Sequence, residues 1–122
     1  MANRITRSRK KGYRMPANAA YVGRPTLYGN PFTMDRFGHA KSVILHRAWL
    51  NGELGDLTLE RMRFCPNQIE ALHRLRERVL RNLHTLAGKN LACWCPQTSD
   101  WCHATTLLHL VAEHAEYKRL AA

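Results

Sequence analysis

Four soft or borderline metal ligands, Cys93, Cys95, Cys102 and His103, fall within eleven residues of this chain. If they share a task, the end of one structural element must meet the start of the next. The stretch "KNLACWC" alternates as a strand does, with Leu91, Cys93 and Cys95 on one side and Ala92 and Trp94 on the other. Pro96 is expected to end that strand. Asp100 is a suitable N-cap for a last helix whose core side would be Ala104, Leu107, Leu108, Val111 and Ala115.

Cys93 and Cys95 are too close in sequence to staple the domain, and nothing else suggests a disulfide framework. Several tasks remain open for the cluster. Zinc takes four Cys or His ligands in a tetrahedron, so Cys93, Cys95, Cys102 and His103 form a candidate set. The spacing C-x-C-x₆-C-H is unlike the common C-x₂-C knuckle, and adjacent residues on a helix point about 100° apart. A reactive thiol is another reading, in which Cys102 lies at a helix start that favours its thiolate and His103 serves as its acid–base neighbour, making these two the candidate catalytic residues. The same helix start could hold an anion without chemistry. Finally, the cysteines and tryptophans could be ordinary core.

Upstream, Asn67 and Glu70 read as a capping-box-like start, and Gly88 as the stop, of a helix whose seam is Ile69, Leu72, Leu75, Val79, Leu83 and Leu86. Arg74, Arg78 and Arg81 form a basic stripe beside that seam. A helix is also expected from Lys41 to Leu50, with Ile44, Leu45, Ala48 and Trp49 as its apolar side, and a shorter one near 57–64. A short strand is expected at 20–23. Strands separated by helices predict an α/β fold: a small single domain with a short, partly parallel sheet flanked by about three helices.

Lys and Arg total 19 against 9 Asp and Glu in 122 residues, a formal charge of +10. That excess favours polyanionic partners such as nucleic acid or nucleotides. Six of the basic residues fall in 1–14 with no acid among them, so 1–14 is expected as a flexible basic arm and 15–122 as the domain. The opening segment has no signal-peptide core, and no apolar run is long enough for a membrane span, so a cytoplasmic protein without membrane association is expected.

"VGRPTLYGNPF", residues 22–32, reads as a rigid presenting loop: prolines fix φ, glycines allow tight turns, and Arg24 and Asn30 sit between them. Taken with "KGYRMP", "LAGKNLACWCP" and "CHATTLL", it closely resembles a family of small bacterial and bacteriophage proteins of unknown function that share a GRPxxxGNPF segment and a CWC…CH segment. The resemblance runs from about Arg4 to Leu110. Tyr13 and Tyr28 stand where tryptophan is familiar, and "CHA" replaces the common "CHG". The resemblance implies that Arg24, Gly29, Asn30, Pro31, Cys93, Cys95, Cys102 and His103 belong to the family pattern, and it points to a phage or prophage origin.

The function expected from these features is binding of a phosphorylated ligand, a nucleotide or nucleic acid, where the GNPF and CWC–CH loops meet. Arg24, Tyr28, Gly29, Asn30, Trp101 and His103 are the candidate contacts. One alternative is an enzyme acting on a nucleotide or modified base, of glycosidase or transferase type, through Cys102 and His103. Another is a zinc-stabilised interaction protein that targets a host factor through the Arg74, Arg78, Arg81 stripe.

Overall fold

A computed structural model describes residues 2–95 and 102–121. Three short strands, β1 (Arg4–Thr6), β2 (Ala19–Tyr21) and β3 (Asn90–Cys93), form one sheet in the order β1-β3-β2. Both pairings are parallel, with Ile5 opposite Ala92 on one side and Tyr21 opposite Ala92 on the other. The apolar run of β3 suits a central strand covered on both faces: Leu91 and Ala92 are wholly buried and Cys93 nearly so. Because the strands are parallel, Arg7, Val22 and Trp94 all leave the sheet at the same edge. The amides of Arg7 and Val22 extend the ladder there, donating to the carbonyls of Cys93 (2.7 Å) and Ala92 (2.9 Å).

β1 lies inside the stretch expected as a flexible arm, which corrects that expectation for residues 4–6. Ile5 and Thr6 suit a strand, and β3 has an open edge for them. The Leu91 amide donates to the Asn3 carbonyl, and the Asn3 amide to Asn90 Oδ1.

The helices are α1 (Met34–Phe37), α2 (His39–Leu50), α3 (Asp56–Arg61), α4 (Pro66–Asn82) and α5 (His103–Ala121), with a 3₁₀ turn at Leu83–Leu86. α4 starts two residues earlier than a cap at Asn67 suggests. Pro66 occupies its first turn, Cys65 is the N-cap, and Gln68 rather than Glu70 closes the capping box on the Cys65 amide at 2.8 Å. Its seam buries Ile69, Leu72 and Val79, and Leu83 and Leu86 carry it on through the 3₁₀ turn. Gly88 follows with φ +74°, a conformation that favours glycine.

The buried face of α2 is rotated from the expected one: Trp49 is buried as expected and Leu45 partly so. Its inner stripe is Ser42, His46 and Trp49 at helical spacing, with Leu50 beside it, whereas Ile44 is exposed. Ser42 can occupy a core position because the 22–32 loop supplies its partners. Phe32 is wholly buried and packs edge-on against Phe37, Trp49 and Phe64, which ties that loop to the helical layer. On α5, Ala104 and Leu107 are buried, but Ala115 is exposed where the helix outruns the body beneath it.

Among the described residues, no helix is long and apolar enough to cross a membrane.

Candidate ligand site at the carboxyl edge of the sheet

The loop after β2 is held from within. The Tyr21 hydroxyl donates to the Arg24 carbonyl at 2.8 Å, Thr26 Oγ1 to the Gly23 carbonyl at 2.6 Å, and the Gly29 amide to the Thr26 carbonyl at 3.1 Å. The Arg24–Pro25 peptide is cis. A Cβ at 23 would overlap the Tyr21 ring, and one at 29 would come 2.7 Å from Arg24 Cγ, so a larger residue at either place forces its neighbour to shift.

Asn30 anchors the far end of the loop. Its amide nitrogen donates to the Ser42 carbonyl and Oγ (3.0 and 2.8 Å), its Oδ1 accepts the Phe32 amide (2.9 Å), and Ser42 Oγ donates to the Phe32 carbonyl. Both amide donors are therefore engaged inside the protein, and Asn30 shapes the wall of the site. Tyr28 points elsewhere: its hydroxyl contacts the Asn82 carbonyl at 3.0 Å and Thr85 Oγ1 at 2.7 Å, fastening the loop to the end of α4.

Cys93 ends β3 and Cys102 directly precedes α5; both are buried, and Cys95 is half-buried. The three sulfurs lie within 4.8 Å of one another, a set that can hold a metal ion. Cys93 Sγ and Cys102 Sγ are 3.2 Å apart. This pair shares its proton unequally. The hydrogen bond from Cys93 is the largest of the influences holding the Cys102 thiol well below its ordinary range. His103, Arg4 and the Ala104 amide act in the same sense, and burial opposes them. Cys93 is pushed up in return, first by that same bond and then by burial, while burial is the main cause of a raised Cys95.

His103 Nε2 lies 2.8 Å from the Val22 carbonyl, which can only accept, so Nε2 carries the hydrogen in that contact. His103 is not one of the three residues whose ligand atoms share the 4.8 Å cluster. Its ring stands edge-on to that of buried His46, with centroids 5.6 Å apart.

These pieces meet around a cavity of about 220 Å³. The first loop contributes Gly23, Arg24 and Asn30; the second contributes Trp94, Cys95 and His103. Its position, outside the carboxyl ends of parallel strands and beside the N-terminus of a long helix, is where open α/β sheets bind ligands. Gly29 acts behind the wall through its closeness to Arg24. Trp101 and the expected cap Asp100 lie outside the described residues.

The model of a domain of unknown function, DUF4326, matches residues 5–113. The chain belongs to this family. No curated protein and no solved structure matches the chain. DUF4326 membership agrees with the resemblance to a family of unknown function, and the match runs from Ile5 in β1 through the presenting loop and the cysteines into α5.

Several residues around the site were missed from sequence. His39 and His46 are not among the expected contacts, although the spacing Ser42, His46, Trp49 is itself a helical stripe. Arg4 was hidden in the basic run. Tyr21 and Trp94 read as strand residues, yet Trp94 follows the bend after Cys93 and stands 40% exposed at the cavity mouth.

Proposed function

We propose that this DUF4326 domain binds a phosphorylated ligand of nucleotide type in the cavity between the 22–32 loop and the Cys93–His103 junction. The observation that carries this reading is that two motifs about sixty residues apart in sequence line one cavity at the carboxyl edge of a parallel sheet. Arg24, exposed at the rim, is suited to paired contacts with phosphate, and the amides at the start of α5 add a partial positive charge. The formal charge of +10 raises the local concentration of any anion.

Calorimetric titration with adenosine diphosphate and with inorganic phosphate tests the reading. Adenosine diphosphate is expected to bind, and Arg24→Ala to weaken it by about 1.5–3 kcal/mol, tenfold or more. Binding of neither probe at millimolar concentration, or indifference to the Arg24 substitution, overturns it.

A second reading is supported by the three clustered sulfurs: a zinc ion held by Cys93, Cys95 and Cys102. Three protein ligands are one short of the closed structural set and match the open set in which a non-protein ligand takes the fourth position. Zinc held there would tie the end of β3 to the start of α5 and form one wall of the cavity. Mass spectrometry of protein purified without chelator is expected to give one zinc per chain, lost in Cys95→Ser. Metal-free protein whose Tm is unchanged by added zinc rejects this reading.

A further inference from the structure

The mouth of the cavity carries a stack of alternating cations and rings that neither loop motif explains. Arg7 leaves β1 with its guanidinium carbon 4.6 Å from the Tyr21 ring centroid and 5.2 Å from that of Trp94. Arg9 lies over Trp94 at 4.6 Å. Tyr21 and Trp94 meet edge to face at 6.3 Å, and the Tyr21 hydroxyl bond to Arg24 fixes the inner ring. The sequence around this stack is charged with one sign only. Residues 1–34 hold seven Lys or Arg and no acid, and residues 78–99 likewise lack Asp and Glu.

We infer that this stack is a platform for single-stranded nucleic acid, with the end of the strand entering the cavity. The inference deepens the nucleotide reading above and rests on it for the ligand's first residue. Three observations favour a strand over an isolated nucleotide. A volume of about 220 Å³ falls below the roughly 300–1,000 Å³ of sites that enclose a whole small ligand, so part of the ligand lies outside. What lies immediately outside is the indole of Trp94, 40% exposed with Arg9 over its ring, and an indole stacks any base. An exposed guanidinium–indole stack is weak, so a base can displace Arg9 from Trp94 while the freed guanidinium stays close to the strand's own phosphates. A duplex hides its base faces and offers nothing for Trp94 to stack on.

Fluorescence anisotropy with a labelled oligothymidylate of about ten nucleotides tests the platform, alongside titration with adenosine diphosphate. The oligonucleotide is expected to bind more tightly than the mononucleotide and to quench tryptophan emission. Trp94→Ala should weaken it about tenfold or more. Arg7→Ala with Arg9→Ala should flatten the salt dependence by about 1.4 in log–log slope while leaving adenosine diphosphate binding in place. If adenosine diphosphate binds but the oligonucleotide gains nothing over it, or binds regardless of Trp94, the platform is rejected and the cavity reading survives. If the oligonucleotide binds through Trp94 and adenosine diphosphate does not bind, the platform stands and the cavity reading falls. Equal affinity for duplex and single strand also overturns the platform.

Discussion

Cys93 Sγ and Cys102 Sγ lie 3.2 Å apart, joining the last residue of the central strand to the residue before the longest helix. Their hydrogen bond, with His103 and Arg4 alongside, lowers the Cys102 thiol, and the same bond raises that of Cys93.

Removing that donor moves the titration of the acceptor. In metal-free protein, Cys93→Ala is expected to raise the Cys102 pKa toward the ordinary thiol range, followed as thiolate absorbance in the ultraviolet against pH. An unshifted profile would show that Cys93 does not hold the thiolate.

Burial ranks the four thiols. Cys65 is exposed, Cys95 intermediate, and Cys93 and Cys102 buried. In metal-free protein, a disulfide thiol reagent is expected to label Cys65 at the rate of an open thiol, and Cys93 and Cys102 only as fast as the structure opens. Cys65→Ser should remove the fast phase alone.

His46 is 1% exposed, and its Nδ1 has no hydrogen-bond partner among the described residues. Burial first, and the neighbouring His103 second, lower its pKa from 6.5 to about 3. Below pH 6.5 the unfolded chain takes up a proton that the fold refuses, so stability present above that pH is lost as pH falls toward 3. The loss approaches about 1.4 kcal/mol per pH unit for this group. Urea unfolding of wild type and His46→Leu should give stabilities whose difference changes with pH only in that window. A difference constant across it would sink the assignment.

Asn30 and Ser42 act as one unit that holds the loop to α2. Asn30→Ala leaves buried partners unmatched and is expected to cost about 1–3 kcal/mol. Ser42→Ala should cost less once Asn30 is gone than before, because the two share a network. Strict additivity in a double-mutant cycle would contradict that coupling.

Gly23→Ala forces a Cβ into the Tyr21 ring. The expected destabilisation is about 1–3 kcal/mol, and the displaced ring changes the environment of Trp94, which tryptophan fluorescence reports. Gly55→Ala is the control, since nothing lies within 4 Å of a Cβ built there.

What could be read from the sequence followed local regularity. The α4 seam from Ile69 to Leu86 repeats at one period, and "KNLACWC" alternates up to a proline, so both elements were legible. The buried side of α2 was not, because Ser42 and His46 look like surface residues until Asn30 and His103 are placed beside them in space. β1 was masked by the arginines around Ile5 and Thr6, and only the open edge of β3 explains it. Tyr28 read as a candidate ligand contact, yet its hydroxyl is engaged by Asn82 and Thr85, more than fifty residues away. Such partners have no sequence signature.

The sheet is also built out of chain order, since its middle strand comes last. β1 and β2 are complete by Tyr21, but neither has a neighbour until residues 90–93 arrive. A chain that must close loops of this length before any strand pairs folds more slowly than its helix content suggests. During synthesis Arg7, Arg9 and Tyr21 emerge first, long before the strand that brings Trp94 beside them into one surface.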